Sequence, residues 1–218
     1  MPISQSEVER ESVVELKAER EFSGQLRSEI HEMCQKTVEM LNLTWEGFRR
    51  QDIRPLEPAG KLGREIHQRE KELTQRVAEK LTAVDSELCF LPMHLERVGD
   101  NIEFLVRAIK MMVQDGIPFS ERAIKEINAL FEKAIELVEC MRDVVGTRNR
   151  VLIRHIVEEG EKYTQMADEF ALFHQERLIQ GLCVPKSSSV YLAILDYLKG
   201  IESHIRQMAE KLSSGSPS

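Results

Sequence analysis

The sequence predicts an all-α protein built as two tandem antiparallel three-helix bundles, on three observations. Apolar residues recur at alternating steps of three and four along nearly every stretch between Leu26 and Leu212, the pattern of helices that bury one stripe. The stripes are interrupted by segments rich in proline and glycine, at Pro55-Leu56-Glu57-Pro58, Asp115-Gly116-Ile117-Pro118, Gly146 and Gly181 with Pro185. The pattern also repeats. At an offset of 103 residues Leu88, Leu91, Leu95, Val98, Ile102, Leu105 and Ile109 fall on Tyr191, Ile194, Leu198, Ile201, Ile205, Met208 and Leu212, and an offset of 94 superposes the first helix on the fourth. The implied organisation is a charged N-terminal extension over 1–20, a first repeat over 21–116, a second over 117–212, and a disordered tail over 213–218.

Residues 1–20 are rich in Glu, Lys and Arg with few apolar residues (Val8, Val13, Val14, Leu16), which fits a frayed helix or an extension that needs a partner. Helix one follows with Leu26, Ile30, Met33, Thr37, Met40, Thr44 and Phe48 inward. Helix two begins after Pro58 and places Leu62, Ile66, Leu73, Val77 and Leu81 inward, with Arg69 and Glu70 interrupting its inner side. Asp85 or Ser86 caps helix three, and Pro92 inside it predicts a bend one turn before Glu96. Ser120 and Glu121 start helix four, whose stripe is Ile124, Ile127, Phe131, Ala134, Val138, Met141 and Val145. Helix five runs from about Arg150 to Ile179 with Ile156, Tyr163, Ala167, Phe170 and His174 inward. Ser187, Ser188 and Ser189 cap helix six.

With 218 residues the chain is long enough to bury roughly 70% of its unfolded surface, and it needs no staples. Cys34, Cys89, Cys140 and Cys183 are far apart without CxxC spacing, so they read as free thiols in a reducing cytoplasm. No leader pattern opens the sequence, and no run of roughly 18 apolar residues occurs in it. The net charge of −7 argues against a phosphate-backbone partner, so nucleic acid is not expected. Membrane association would have to come through a partner protein.

The chemistry of the chain concentrates in Leu95-Glu96-Arg97-Val98-Gly99-Asp100. Glu96 and Asp100 sit four apart beside the buried stripe, so their carboxylates share a face and call for a cation, either Arg97 or a metal. Gly99 between them weakens the helix by about 1 kcal/mol, a cost that fits a close approach of another helix or a ligand. On helix two, His67, Glu70 and Glu65 offer to complete the oxygen-rich shell that a hard divalent or iron-type ion wants. The methionines on the stripes read as packing. His94, His174 and His204 read as surface or satisfied core histidines, and Trp45 as a half-buried core residue or a partner anchor.

These residues resemble the PhoU-like phosphate-transport regulators, a family that includes cytoplasmic domains attached to sodium/phosphate cotransporters. Leu95-Glu96-Arg97-Val98-Gly99-Asp100 is similar to the family's Leu-Glu-Arg-Ile-Gly-Asp within its E/D-x-x-x-D metal motif. Arg27-Ser28-Glu29-Ile30-His31-Glu32-Met33, His174-Gln175-Glu176-Arg177-Leu178 and Val190-Tyr191-Leu192-Ala193-Ile194-Leu195-Asp196 also have a familial look, and the likeness extends from about 22 to 212. The second copy departs from it: the 103-residue offset puts Lys199 and Ser203 where the motif has its acids, so a second metal is not expected. The resemblance implies a metal-dependent, non-enzymatic, homodimeric regulator. Its implied partner is a phosphate transporter, either a sodium/phosphate cotransporter or an ABC-type system, with a sensor kinase as second choice.

Two other classes compete. A di-iron bundle enzyme needs Glu-x-x-His pairs projecting inward, whereas Glu29 with His31 and Glu65 with His67 are two apart and face away from each other. A structural dimerisation module requires nothing of Glu96, Gly99 and Asp100.

Overall fold

The computed structural model describes residues 5–79 and 88–214, with side chains from residue 17 onward except 18 and 214. Six helices make up the described chain: α1 (Gln5–Arg50), α2 (Leu56–Glu79), α3 (Leu91–Gln114), α4 (Glu121–Thr147), α5 (Arg150–Ile179) and α6 (Pro185–Ser214). No strand occurs among the described residues. None of these helices is long and apolar enough to cross a membrane.

Helices α1, α2 and α3 pack on one another, as do α4, α5 and α6, and the two triads join along α1 against α4 and α3 against α6. One continuous apolar core runs through both. Each of the seven apolar pairs matched at 103 residues is buried on both members, because the same helical angle faces the same seam in each repeat.

Several boundaries differ from the expected ones. Residues 5–20 continue directly into helix one, so the expected break at 20 falls inside α1. α2 starts at Leu56 rather than after Pro58, since a proline in the first turn removes only an N–H that has no helical partner. For the same reason Pro92 lies in the first turn of α3, and it imposes no mid-helix bend before Glu96. Ser120 Oγ accepts from Ala123 N and caps α4, and Asn149 Oδ1 accepts from Val151 N and Leu152 N to cap α5. The three serines of α6 are not caps. The helix has already begun at Pro185, so Ser187 and Ser188 donate back to the Val184 carbonyl and Ser189 to that of Lys186. α6 also takes in residues 213 and 214, and the rest of the expected tail lies outside the described residues, as do Leu81, Asp85 and Ser86. α3 starts later than the stripe from Leu88 suggests, so its cap position is Phe90, which makes no side-chain cap bond, and neither Asp85 nor Ser86 is its cap.

The register between the first helices is also different. An offset of 97, one helical turn from 94, aligns Leu26, Ile30, Met33, Met40, Leu41 and Phe48 with Ala123, Ile127, Leu130, Leu137, Val138 and Val145, all buried. It also aligns the left-handed residues just beyond α1 and α4, Gln51 (φ 50°) and Arg148 (φ 52°). The same offset sets Gly63 of α2 on Gly160 of α5, two glycines that each lie against the third helix of their own repeat.

Candidate functional site

The Leu95–Asp100 segment occupies the second turn of α3 onward, with Leu95 and Val98 in the core and Glu96, Arg97 and Asp100 on the flank. Glu96 is mostly covered. Its Oε1 lies 3.1 Å from His67 Nδ1 across on α2, and its Oε2 lies 3.7 Å from Arg97 Nε. Arg97 NH1 also lies 3.3 Å from Asp100 Oδ2, so the guanidinium spans the two carboxylates and is the cation that their spacing calls for. Gly99 is buried, but a Cβ there would meet only Ile66 Cγ2 at 3.5 Å, an ordinary contact. Its protein neighbour is thus the α2 side chain of Ile66, at a distance that does not itself demand a glycine.

The structure pairs Glu96 with His67 and, through Arg97, with Asp100, and engages the other two candidates with different partners. Glu70 accepts from Thr74 on its own helix, and Glu65 pairs with Lys36 of α1. Among the described residues no three His, Cys, Asp or Glu side chains converge as a metal cluster. The donor chemistry of Glu96 and Asp100, two carboxylates on a solvent-facing flank with an imidazole beside one of them, fits a hard cation whose remaining ligands are water. Such an ion would have to displace Arg97.

The matching place in the second repeat has a different composition. Lys199 stands for Glu96 and reaches Asp168 of α5, and Ser203 stands for Asp100 and accepts from Gln207 one turn along its own helix. At the 97-residue offset of the second helices, Thr164 replaces His67 and Ala167 replaces Glu70. A carboxylate reappears only at Glu202, the equivalent of Gly99. It is buried, takes bonds from Thr164 Oγ1 and Arg206 Nε, and is pushed above the usual carboxylate range by burial, against those two donors. Glu202 lies so close to Gly160 that a Cβ on that glycine would fall 2.3 Å from its Oε1.

Sequence reasoning missed two polar nodes. In the second repeat Glu126 of α4, 6% exposed, accepts from both terminal nitrogens of Arg177 (2.9 and 2.7 Å), from Tyr191 OH (2.6 Å) and from Arg122 Nε (3.0 Å). Burial pushes this carboxyl up, yet the donors outweigh burial and hold it below the usual range. His174 stacks on Tyr191 at 4.3 Å, and neither of its ring nitrogens has a hydrogen-bond partner among the described residues. Burial and the Arg177 charge keep the imidazole neutral to lower pH than usual. His174 is thus inward as expected, but not satisfied.

The second node lies in the seam. His94 of α3 and His204 of α6 face each other with their Nδ1 atoms 3.2 Å apart. Burial, with the His204 and Lys211 charges behind it, holds His94 down at about 4. The available signal for the first node was the two acid-bearing stripes: Glu29 and Glu126, at the 97-residue offset, both lie on the inner side of a first helix. Glu29 takes Arg76 NH1 at 2.9 and 2.8 Å and has Arg69 at 3.7 Å, which explains the polar interruption in α2. Trp45 is half-buried, donates from Nε1 to Asn128 Oδ1 at 2.7 Å and carries Arg49 over its ring. No disulfide forms among the described residues: Cys34 is buried, which pushes its thiol up to about 12, and the other three cysteines are half-buried.

Solved structures share this fold. The phosphate transport system regulatory protein PhoU from Streptococcus pneumoniae superposes with a TM-score of 0.80 at 13% identity, covering 91% of this chain and 98% of that one. PhoU from Pseudomonas aeruginosa superposes with a TM-score of 0.77 at 16% identity, covering 90% and 96%. The chain therefore has the PhoU fold over nearly its whole length. No protein-family model and no curated protein matches the sequence.

Proposed function

We propose that this chain is a regulator of phosphate transport that acts by protein contact in the cytoplasm. The observation that carries the reading is the coincidence of two independent facts: the PhoU fold over nine-tenths of the chain, and Leu95-Glu96-Arg97-Val98-Gly99-Asp100 placed on the third helix of its first repeat. The partner is a phosphate transporter, with a sensor kinase as second choice. A contact role is supported by the α5–α6 turn, where Ile179, Leu182 and Val184 are exposed beside the exposed Leu172 and Phe173 of α5, an apolar end of the bundle suited to docking. In the first repeat Glu96 and Asp100 would hold a hard cation and His67 of α2 would orient Glu96; the ion would supply the charge that Arg97 now places between the two carboxylates.

Deleting the gene and measuring phosphate uptake and phosphate-responsive expression under phosphate excess tests this. Both should change. Unchanged values, with a purified protein whose turnover of a substrate is abolished by Asp100→Ala, would favour the bundle-enzyme reading. For the ion, elemental analysis of the purified protein should show metal that a Glu96→Ala, Asp100→Ala double variant lacks.

A further inference from the structure

The second repeat does not fit the metal ion that its fold family implies, and its residues show what takes the ion's place. Each of the four candidate ligands of the first repeat is changed at its equivalent position: Glu96 to Lys199, Asp100 to Ser203, His67 to Thr164 and Glu70 to Ala167. A divalent cation approaching this flank would meet an ammonium, a hydroxyl and a methyl group. Yet the link between the second and third helices is kept. In the first repeat the third helix supplies the acid, Glu96, and the second helix the basic group, His67. In the second repeat the third helix supplies the base, Lys199, and the second helix the acid, Asp168, which lies one turn beyond the equivalent of His67.

We propose that Lys199 is a built-in cation: its ammonium, paired with Asp168 on the flank of the bundle, links α6 to α5 where the first repeat has a site for an ion, so the second repeat neither binds nor needs a metal ion. Two further contacts fix this arrangement. Gly200, standing where Arg97 does in the first repeat, lets the seam close until a Cβ there would lie 2.3 Å from Asn101 Oδ1 of α3. Ser203 is engaged along its own helix, its hydroxyl accepting from Gln207. The carboxylate that remains, Glu202, is buried and already holds Arg206, and is not open to an ion from solvent. The chain is thereby asymmetric: any response to a cation is confined to α2 and α3, while α5 and α6 stay locked.

The inference concerns the second repeat alone and stands whether or not the first repeat takes an ion. Its test uses the full-length protein with Mn²⁺ as probe and hydrogen exchange read helix by helix. In the wild type, adding Mn²⁺ or a chelator should leave the protection of α5 and α6 unchanged. Lys199→Glu combined with Ser203→Asp restores two acids four apart beside Asp168. It should gain one Mn²⁺ per chain and a thermal midpoint that falls when chelator is added. Lys199→Met should lower the thermal midpoint by a few degrees, a loss that no concentration of Mn²⁺ restores. Mn²⁺-dependent protection of α5 and α6 in the wild type overturns the inference. So does a double variant that gains no Mn²⁺, or a Lys199→Met protein as stable as the wild type. Failure of the first-repeat reading would show separately, as wild-type protein with no Mn²⁺ effect on α2 and α3.

Discussion

Glu29 and Glu126 occupy the same place in the two repeats, on the inner side of the first helix and reached by arginine from the second, but they do so in different surroundings. Glu29 is 12% exposed and its arginines, Arg76 and Arg69, are half in water. Glu126 is 6% exposed, Arg177 is nearly as buried, and a tyrosine and a second arginine complete the carboxylate's bonds. The same pairing therefore does two jobs. In the first repeat solvent screens the charges and the pair contributes little; in the second each charge depends on the other, since an unpaired one would stay buried. The flanks of the third helices differ in composition: two acids bridged by Arg97 at Glu96 and Asp100 in the first repeat, and a lysine–aspartate bridge from Lys199 to Asp168 in the second. The first helix of the second repeat thus has its acid committed to the core, whereas that of the first repeat shares its acid with arginines that reach water.

The sharpest way to break that contrast is to remove both acids in turn. Glu126→Ala should cost about 3–5 kcal/mol because it strands Arg177 in the core, whereas Glu29→Ala should cost about 1 kcal/mol. Urea unfolding of the two variants measures this, and equal losses would end the distinction.

A smaller effect is expected at the paired glycines. Gly160→Ala would drive a methyl into the buried Glu202 and Arg206 side chains and should cost about 1–3 kcal/mol. At Gly63 a methyl would meet Glu103, which can swing into solvent, and the flexible end of the buried Met40, so Gly63→Ala should cost about 1 kcal/mol or less, below the loss at Gly160. Thermal unfolding of both variants compares them directly.

The smallest effect is acid sensitivity. The His174 imidazole is depressed in the folded state, so its contribution is complete above the ordinary value near 6.5 and drains away as the pH falls below it. Glu126 is also depressed, so its contribution is present above the ordinary carboxylate range and is lost as the pH falls through its lower folded value. His174 acts on the last turns of α5, so hydrogen-exchange protection there, taken relative to intrinsic exchange at each pH, should fall between pH 7 and 5 while that of α2 holds, and Glu126 adds its loss only at lower pH. His174→Phe should flatten the trend between pH 7 and 5, where Glu126 is still ionised.

By itself the sequence determined which residues lie inward, the helical class, the Ser120 cap and the duplication of α3 in α6. Each of these depends on angular position around a single helix or on chemistry within one turn, both of which local spacing encodes. Only the tertiary structure decided how far each helix slides along its neighbour. Two apolar stripes match nearly as well after a shift of one turn, so α1 could be laid on α4 at 94 although the packed register is 97. Polar partners between helices depend on that axial height. For this reason the bond from Arg76 to Glu29, the four donors around Glu126, the meeting of His94 with His204 and the bridge from Lys199 to Asp168 were absent from the sequence reading. The proline at 92 teaches the same lesson: its effect depends on whether a helix has begun, and packing of Leu88 and Leu91 into the core sets that start.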